Sequence, residues 1–163
     1  MSEALFPATT ARVARQTDED VNQRIRRDTA ARITYFASYP DEIDRRLDEL
    51  DAEWDIERTL QANAATLALA GTVLGMAADR RWLVLPAMVS GFLLQHALQG
   101  WCPPLPVFRR LGVRTATEIE AERYALKILR GDFATAAGVD GRSPDQRAEE
   151  ALRAVRGEVG RGG

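Results

Sequence analysis

One cysteine and one histidine are all that this chain of 163 residues offers of the two side chains that most often bind transition metals. A lone thiol, Cys102, excludes an intramolecular disulfide framework and any thiolate-cluster metal site. A lone imidazole, His96, has no second ligand beside it, so a hydrogen-bonded packing role outweighs metal binding. No metal, cofactor or catalytic group is predicted. Segments that alternate apolar and polar residues between turn signals are also missing, which leaves an all-α reading. Nor does either sign of charge dominate: 22 basic residues face 24 acidic ones, giving no electrostatic footprint for nucleic acid. Residues 1–15 lack a basic region followed by an apolar core and a small-residue cleavage site, and so predict no cleaved signal peptide.

Charge is scarce in one place above all. Between Arg58 and Arg109 the only charged residues are Asp79, Arg80 and Arg81, although charged residues make up 28% of the chain. Two charge-free stretches, residues 60–78 and 82–101, are left on either side of that triplet. At about 1.5 Å per residue, each reaches across a hydrocarbon layer of roughly 30 Å. The second is the more apolar and carries Trp82 and Trp101 at its ends, where interfacial indoles are preferred. The first is rich in alanine and contains Gln61, Asn63, Thr66 and Thr72, so its insertion would depend on pairing with the second. A turn of three residues, 79–81, permits only an antiparallel pair. The sequence thus predicts a two-span transmembrane helical hairpin flanked by amphipathic helices; a buried hairpin in a soluble helical bundle is the alternative.

Three segments follow from this partition: a helical arm over 1–57, the two-helix membrane domain over 58–115, and helices with a disordered tail over 116–163. In the first arm, Thr17 and Asp20 are spaced as a capping pair, and Val21, Ile25 and Ile33 fall on one stripe. Ser38, Tyr39 and Pro40 break that helix. A second run repeats Ile43, Leu47, Leu50 and Trp54 on one face, with no Gly or Pro before Ala70 to fix where it ends. Thr115 and Glu118 form a capping box that opens a helix with Ala121, Tyr124, Ala125 and Ile128 on its apolar face, stopped by Gly131. Ser143 and Pro144 open a last short helix with Ala148, Ala151, Leu152 and Val155 on its stripe.

The second apolar stretch closes with Gly100, Trp101, Cys102 and Pro103, and Leu111, Gly112, Val113, Arg114 and Thr115 follow. This ending resembles the transmembrane domain of the YgaP-like inner-membrane family, which is often fused to rhodanese modules and whose function is not known. The resemblance covers residues 54–115. It implies a bacterial inner membrane, a two-helix fold and self-association. The chain differs in having Pro104 and Pro106, a longer link to Leu111, charged helical arms in place of a rhodanese module, and no second cysteine.

Basic residues are retained on the cytoplasmic side, and the outer flanks hold all but two of them, which predicts cytoplasmic termini. Inside the spans, an apex near residues 80 and 81 sets Asn63 level with Leu98, Thr66 with Gln95, and Gly71 with Ser90. Asn63, Thr66, Gln95, His96 and Gln99 would then form an intramembrane polar layer turned toward protein. Gly71, Gly75 and Ser90 would let the helices approach closely and leave a face for a second copy, so a homodimer or another membrane protein is the expected partner beside the lipid bilayer. Cys102 is the candidate reactive thiol. Its place at a helix C-terminus beside Trp101 disfavours a thiolate, so packing is the first reading and the handling of sulfur species the alternative. The expected role is that of a membrane-anchored structural or partner-binding protein.

Overall fold

A computed structural model describes residues 12–133 together with Ser143, Gln146 and Glu149, and every regular element among these residues is helical. The elements are α1 (Arg12–Arg15), α2 (Glu19–Ser38), a 3-10 turn (Pro40–Glu42), α3 (Ile43–Ala52), α4 (Ile56–Ala77), a second 3-10 turn (Arg80–Leu83), α5 (Val84–Gln99), α6 (Leu105–Arg110) and α7 (Ala116–Arg130). They belong to two compact units. One comprises Met1–Arg27 with Trp54–Ile119, the other Asp28–Glu53 with Glu120–Gly163.

The first unit is organised by the α4–α5 hairpin. Residues 53–55 interrupt the run that begins at Ile43, because Glu53 is extended and the Asp55 carboxylate accepts the Arg58 N–H as the N-cap of α4. Trp54, read as the fourth member of the α3 stripe, therefore falls outside the helix, half exposed and with Arg58 stacked 4.3 Å from its ring centre. The 22 residues of α4 rise about 33 Å. At the turn, Asp79 accepts the Arg81 N–H, and Pro86 sits in the first turn of α5, where no intrahelical donor is needed. Gly100 ends α5 in the left-handed region at φ 78°, its N–H donating to the His96 carbonyl.

Hairpin packing differs from the predicted register. A Cβ on Gly75 would lie 2.5 Å from Leu83, and one on Gly71 would lie 2.7 Å from Pro86. Both glycines are buried between the two helices, but Ser90 is exposed, and the nearest neighbours of Gly71 are Pro86 and Leu85. The reason is where the chain turns. Helix α4 ends at Ala77 and the 3-10 turn begins at Arg80, so the apex falls near residues 78 and 79 rather than 80 and 81, Leu83 stands beside Gly75, and each pairing slips by about four residues.

At the hairpin's open end, away from the turn, Val13, Ile56, Leu60, Cys102 and Leu105 form a core against which Trp101, Phe108 and Val113 pack. Thr17, expected as a cap, instead donates to the Val13 carbonyl, and the backbone carbonyl of Asp18 accepts the first N–H groups of α2.

In the second unit α3 buries Ile43, Leu47 and Leu50 as its period dictates. The face of α7 is a correction. Tyr124 and Ile128 point outward and Ala121 is exposed, whereas Ile119, Glu122 and Leu126 are buried. A carboxylate occupies the inner face because arginines await it there, which a count of apolar residues cannot register. The capping box at the start of α7 is present: Thr115 Oγ1 accepts the Glu118 N–H at 3.2 Å, and Glu118 accepts the Thr115 N–H at 2.8 Å. Ser143 and Gln146 exchange the same pair of bonds. The predicted stripe from Ala148 to Val155 lies outside the described residues, as does the tail.

Candidate functional site

The feature of the first unit with the largest consequence is its surface. Apart from His96, α5 buries none of its residues, and Leu69, Met76, Val84 and Leu94 are 67%, 77%, 60% and 62% exposed. A hairpin that turns this much aliphatic surface outward demands either another apolar medium or a protein partner. Both hairpin helices, α5 together with the 3-10 turn before it, are long and apolar enough to cross a membrane.

Below that surface, the open end of the hairpin is tied by two charged knots. In one, the Glu57 carboxylate accepts Arg12 Nη2 at 2.9 Å and faces His96 Nε2 at 3.0 Å, while Arg12 Nη1 donates to the Ala97 carbonyl. The imidazole proton must sit on Nε2 to be accepted by the carboxylate, and the buried Nδ1 has no hydrogen-bond partner among the described residues. Arg12 thereby clamps α1 across the last turn of α5, packed so closely on Gly100 that a Cβ there would lie 2.7 Å from the Arg12 Cβ and 2.8 Å from its backbone.

The second knot centres on Arg109, whose side chain is wholly buried. Glu118 receives its two terminal nitrogens in a bidentate pair at 2.7 and 2.8 Å. Asn22 Oδ1, Thr17 Oγ1 and the Val113 carbonyl take its other hydrogens. Burial raises the Glu118 carboxyl, but the Arg109 guanidinium and the Thr115 N–H outweigh it and hold Glu118 below the ordinary carboxylate value. Such a saturated network fixes geometry and leaves no free donor for a substrate.

The second unit repeats the solution with reversed charge. Buried Glu122 accepts Arg32 Nε and Nη2 and Arg46 Nε, at 2.9–3.2 Å. Arg123 pairs with the exposed Asp51, and Arg130 joins the exposed Asp44 to the buried Asp132.

The predicted polar layer is not assembled. Thr66 donates to the Ala62 carbonyl of its own helix, Asn63 and Gln95 are partly buried, and Gln99 is exposed. Among the described residues no side-chain hydrogen bond joins Asn63, Thr66, Gln95 or Gln99 across the hairpin. The slipped register separates the intended partners, and His96, the buried member, binds Glu57 instead. Glu57 went unread because it lies just ahead of the charge-free stretch. Arg109 went unread because a sequence gives an arginine no sign of burial, although Glu118, its partner, was visible as a capping residue.

Cys102 is 4% exposed in the apolar core, and desolvation pushes its thiol up against a weaker opposing bond from the Leu105 N–H. That is the reverse of what a nucleophile needs. Beside it a groove of about 220 Å³ runs between α4 and α5.

The chain matches no protein-family model, no curated protein and no solved structure.

Proposed function

We propose that this chain is a small integral protein of the bacterial inner membrane, anchored by the α4–α5 hairpin and serving as a membrane-attached structural or partner-binding protein, with both termini cytoplasmic. The observation that carries the reading is the outward aliphatic surface of the hairpin, set beside a second unit that buries Ile43, Leu47 and Leu50. The ending Gly100, Trp101, Cys102, Pro103 supports kinship with the YgaP-like family. Basic flanks against only Arg80 and Arg81 in the turn support the orientation. Cys102 supports no sulfur chemistry, being buried with a raised pKa. Gly71 and Gly75 are used within the hairpin, so self-association would fall to the outer face of α5, where Gly91 has open space around it. Alkaline carbonate extraction tests the anchor: the protein stays in the membrane pellet, and its release into the supernatant overturns the reading in favour of a soluble bundle. Periplasm-active reporters fused after residue 157 test the orientation and are expected to be silent.

A further inference from the structure

We propose that the groove between α4 and α5 is a binding site for one acyl chain of a phospholipid, entering sideways past Met88 and Phe92; this rests on the membrane reading above. The helices touch tightly near the turn, where Gly75 meets Leu83 and Gly71 meets Pro86. Beyond that contact a gap opens, walled by Leu60 and Leu67 on one side and Met88 and Phe92 on the other, and closed at its far end by Cys102. Asn63 is the one residue with a polar side chain among the groove's α4 and α5 walls. An apolar gap of this kind stays dry, since water there would find too few partners.

Size selects the occupant. The volume of about 220 Å³ exceeds the roughly 150 Å³ of an apolar cavity that holds benzene, yet a helix is about 10 Å across and could not enter without parting the spans. A segment of a single hydrocarbon chain fits. Position agrees: Met88 is 54% and Phe92 38% exposed, so the groove is continuous with the outward aliphatic face and opens sideways to hydrocarbon. Its far end, at Cys102, lies one residue beyond Trp101, where the second charge-free stretch ends. An acyl chain lying there covers the path to the Cys102 sulfur, which makes that thiol a reporter of occupancy.

The full chain in detergent micelles is treated with N-ethylmaleimide, with and without palmitoyl-oleoyl phosphatidylglycerol, and the same samples are weighed by native mass spectrometry. One retained phospholipid and at least fivefold slower Cys102 modification in its presence are expected. Ala64→Phe, which fills the groove, should abolish both effects, while Leu69→Phe on the exposed face should alter neither. Modification that ignores lipid in the wild-type chain overturns the proposal and needs no variant to fold. Protection that rises with protein concentration rather than with lipid also overturns it, because a second copy then fills the groove. A protein that stays in the membrane pellet but shows no lipid effect fails this proposal alone; one released by carbonate fails the membrane reading itself.

Discussion

Helices α3 and α5 invert each other. In α3 the buried residues are Ile43, Leu47 and Leu50, and Arg45, Asp48 and Glu49 face outward. In α5 the only buried residue is a histidine, and Val84, Met88, Leu94 and Leu98 face outward. The two helices obey one rule, that each side chain goes where its own medium is, so their difference measures a difference in medium. For α3 the medium is water; on the membrane reading proposed above, for α5 it is hydrocarbon. What the units share is the way each seals a buried charge. Arg109 is saturated by one carboxylate and three neutral oxygens, Glu122 by two guanidiniums.

That comparison breaks most sharply at the buried charges. Replacing Arg109 by Leu leaves Glu118 and Asn22 facing an apolar side chain, and breaking a buried pair costs about 3–5 kcal/mol. The first unit should then become sensitive to protease at temperatures that the wild type resists. The same site sets the response to acid. Glu118 has a depressed pKa, so its contribution is present above the ordinary carboxylate value of 4.5 and is lost as pH falls below it through the folded value. Protease resistance followed from pH 7 downward should decline in that window, and a flat profile would contradict the pairing.

Next in size is Leu94→Arg, on the outward face of α5. If hydrocarbon surrounds it, the arginine costs about 3 kcal/mol on insertion and a fraction of the protein should move out of the carbonate-resistant pellet. If water surrounds it, so exposed a site tolerates the change within about 0.5 kcal/mol. Gly75→Leu comes third. Its side chain meets Leu83 and overpacks the hairpin by about 1–3 kcal/mol, read as a wider spacing between labels on the two spans. The smallest effect is expected of Ile128→Glu, which sits 65% exposed and should shift the thermal midpoint of the second unit negligibly, by about 0.5 kcal/mol or less.

Much of the architecture was legible because it follows from long runs and strong local signals. The two charge-free stretches became α4 and α5, the Ile43, Leu47 and Leu50 stripe became the inner face of α3, and Thr115 with Glu118 became a cap. Legibility failed where one residue's partner lay far away. Nothing local distinguishes Arg109 from Arg110, one buried and the other exposed in an ion pair with Asp18. Glu122 drew no reading, because the arginines that bind it come from α2 and α3. The hairpin register failed for a subtler reason: the turn was assumed at 79–81, but α4 ends at Ala77 and the chain reverses near residues 78 and 79. The polar layer went with it, since one slipped pairing moves every later one.

The Arg109 knot also imposes a schedule on synthesis. Thr17 and Arg109 are 92 residues apart in the chain, and Glu118 is made later still. At roughly 5–20 residues per second, the N-terminal segment waits about 5–18 s for its anchor, and the whole hairpin is made in the meantime. On the membrane reading, bilayer entry then precedes closure and the knot latches spans that are already inserted, so a chain truncated before Arg109 should be membrane-bound but still open to protease at its first helix.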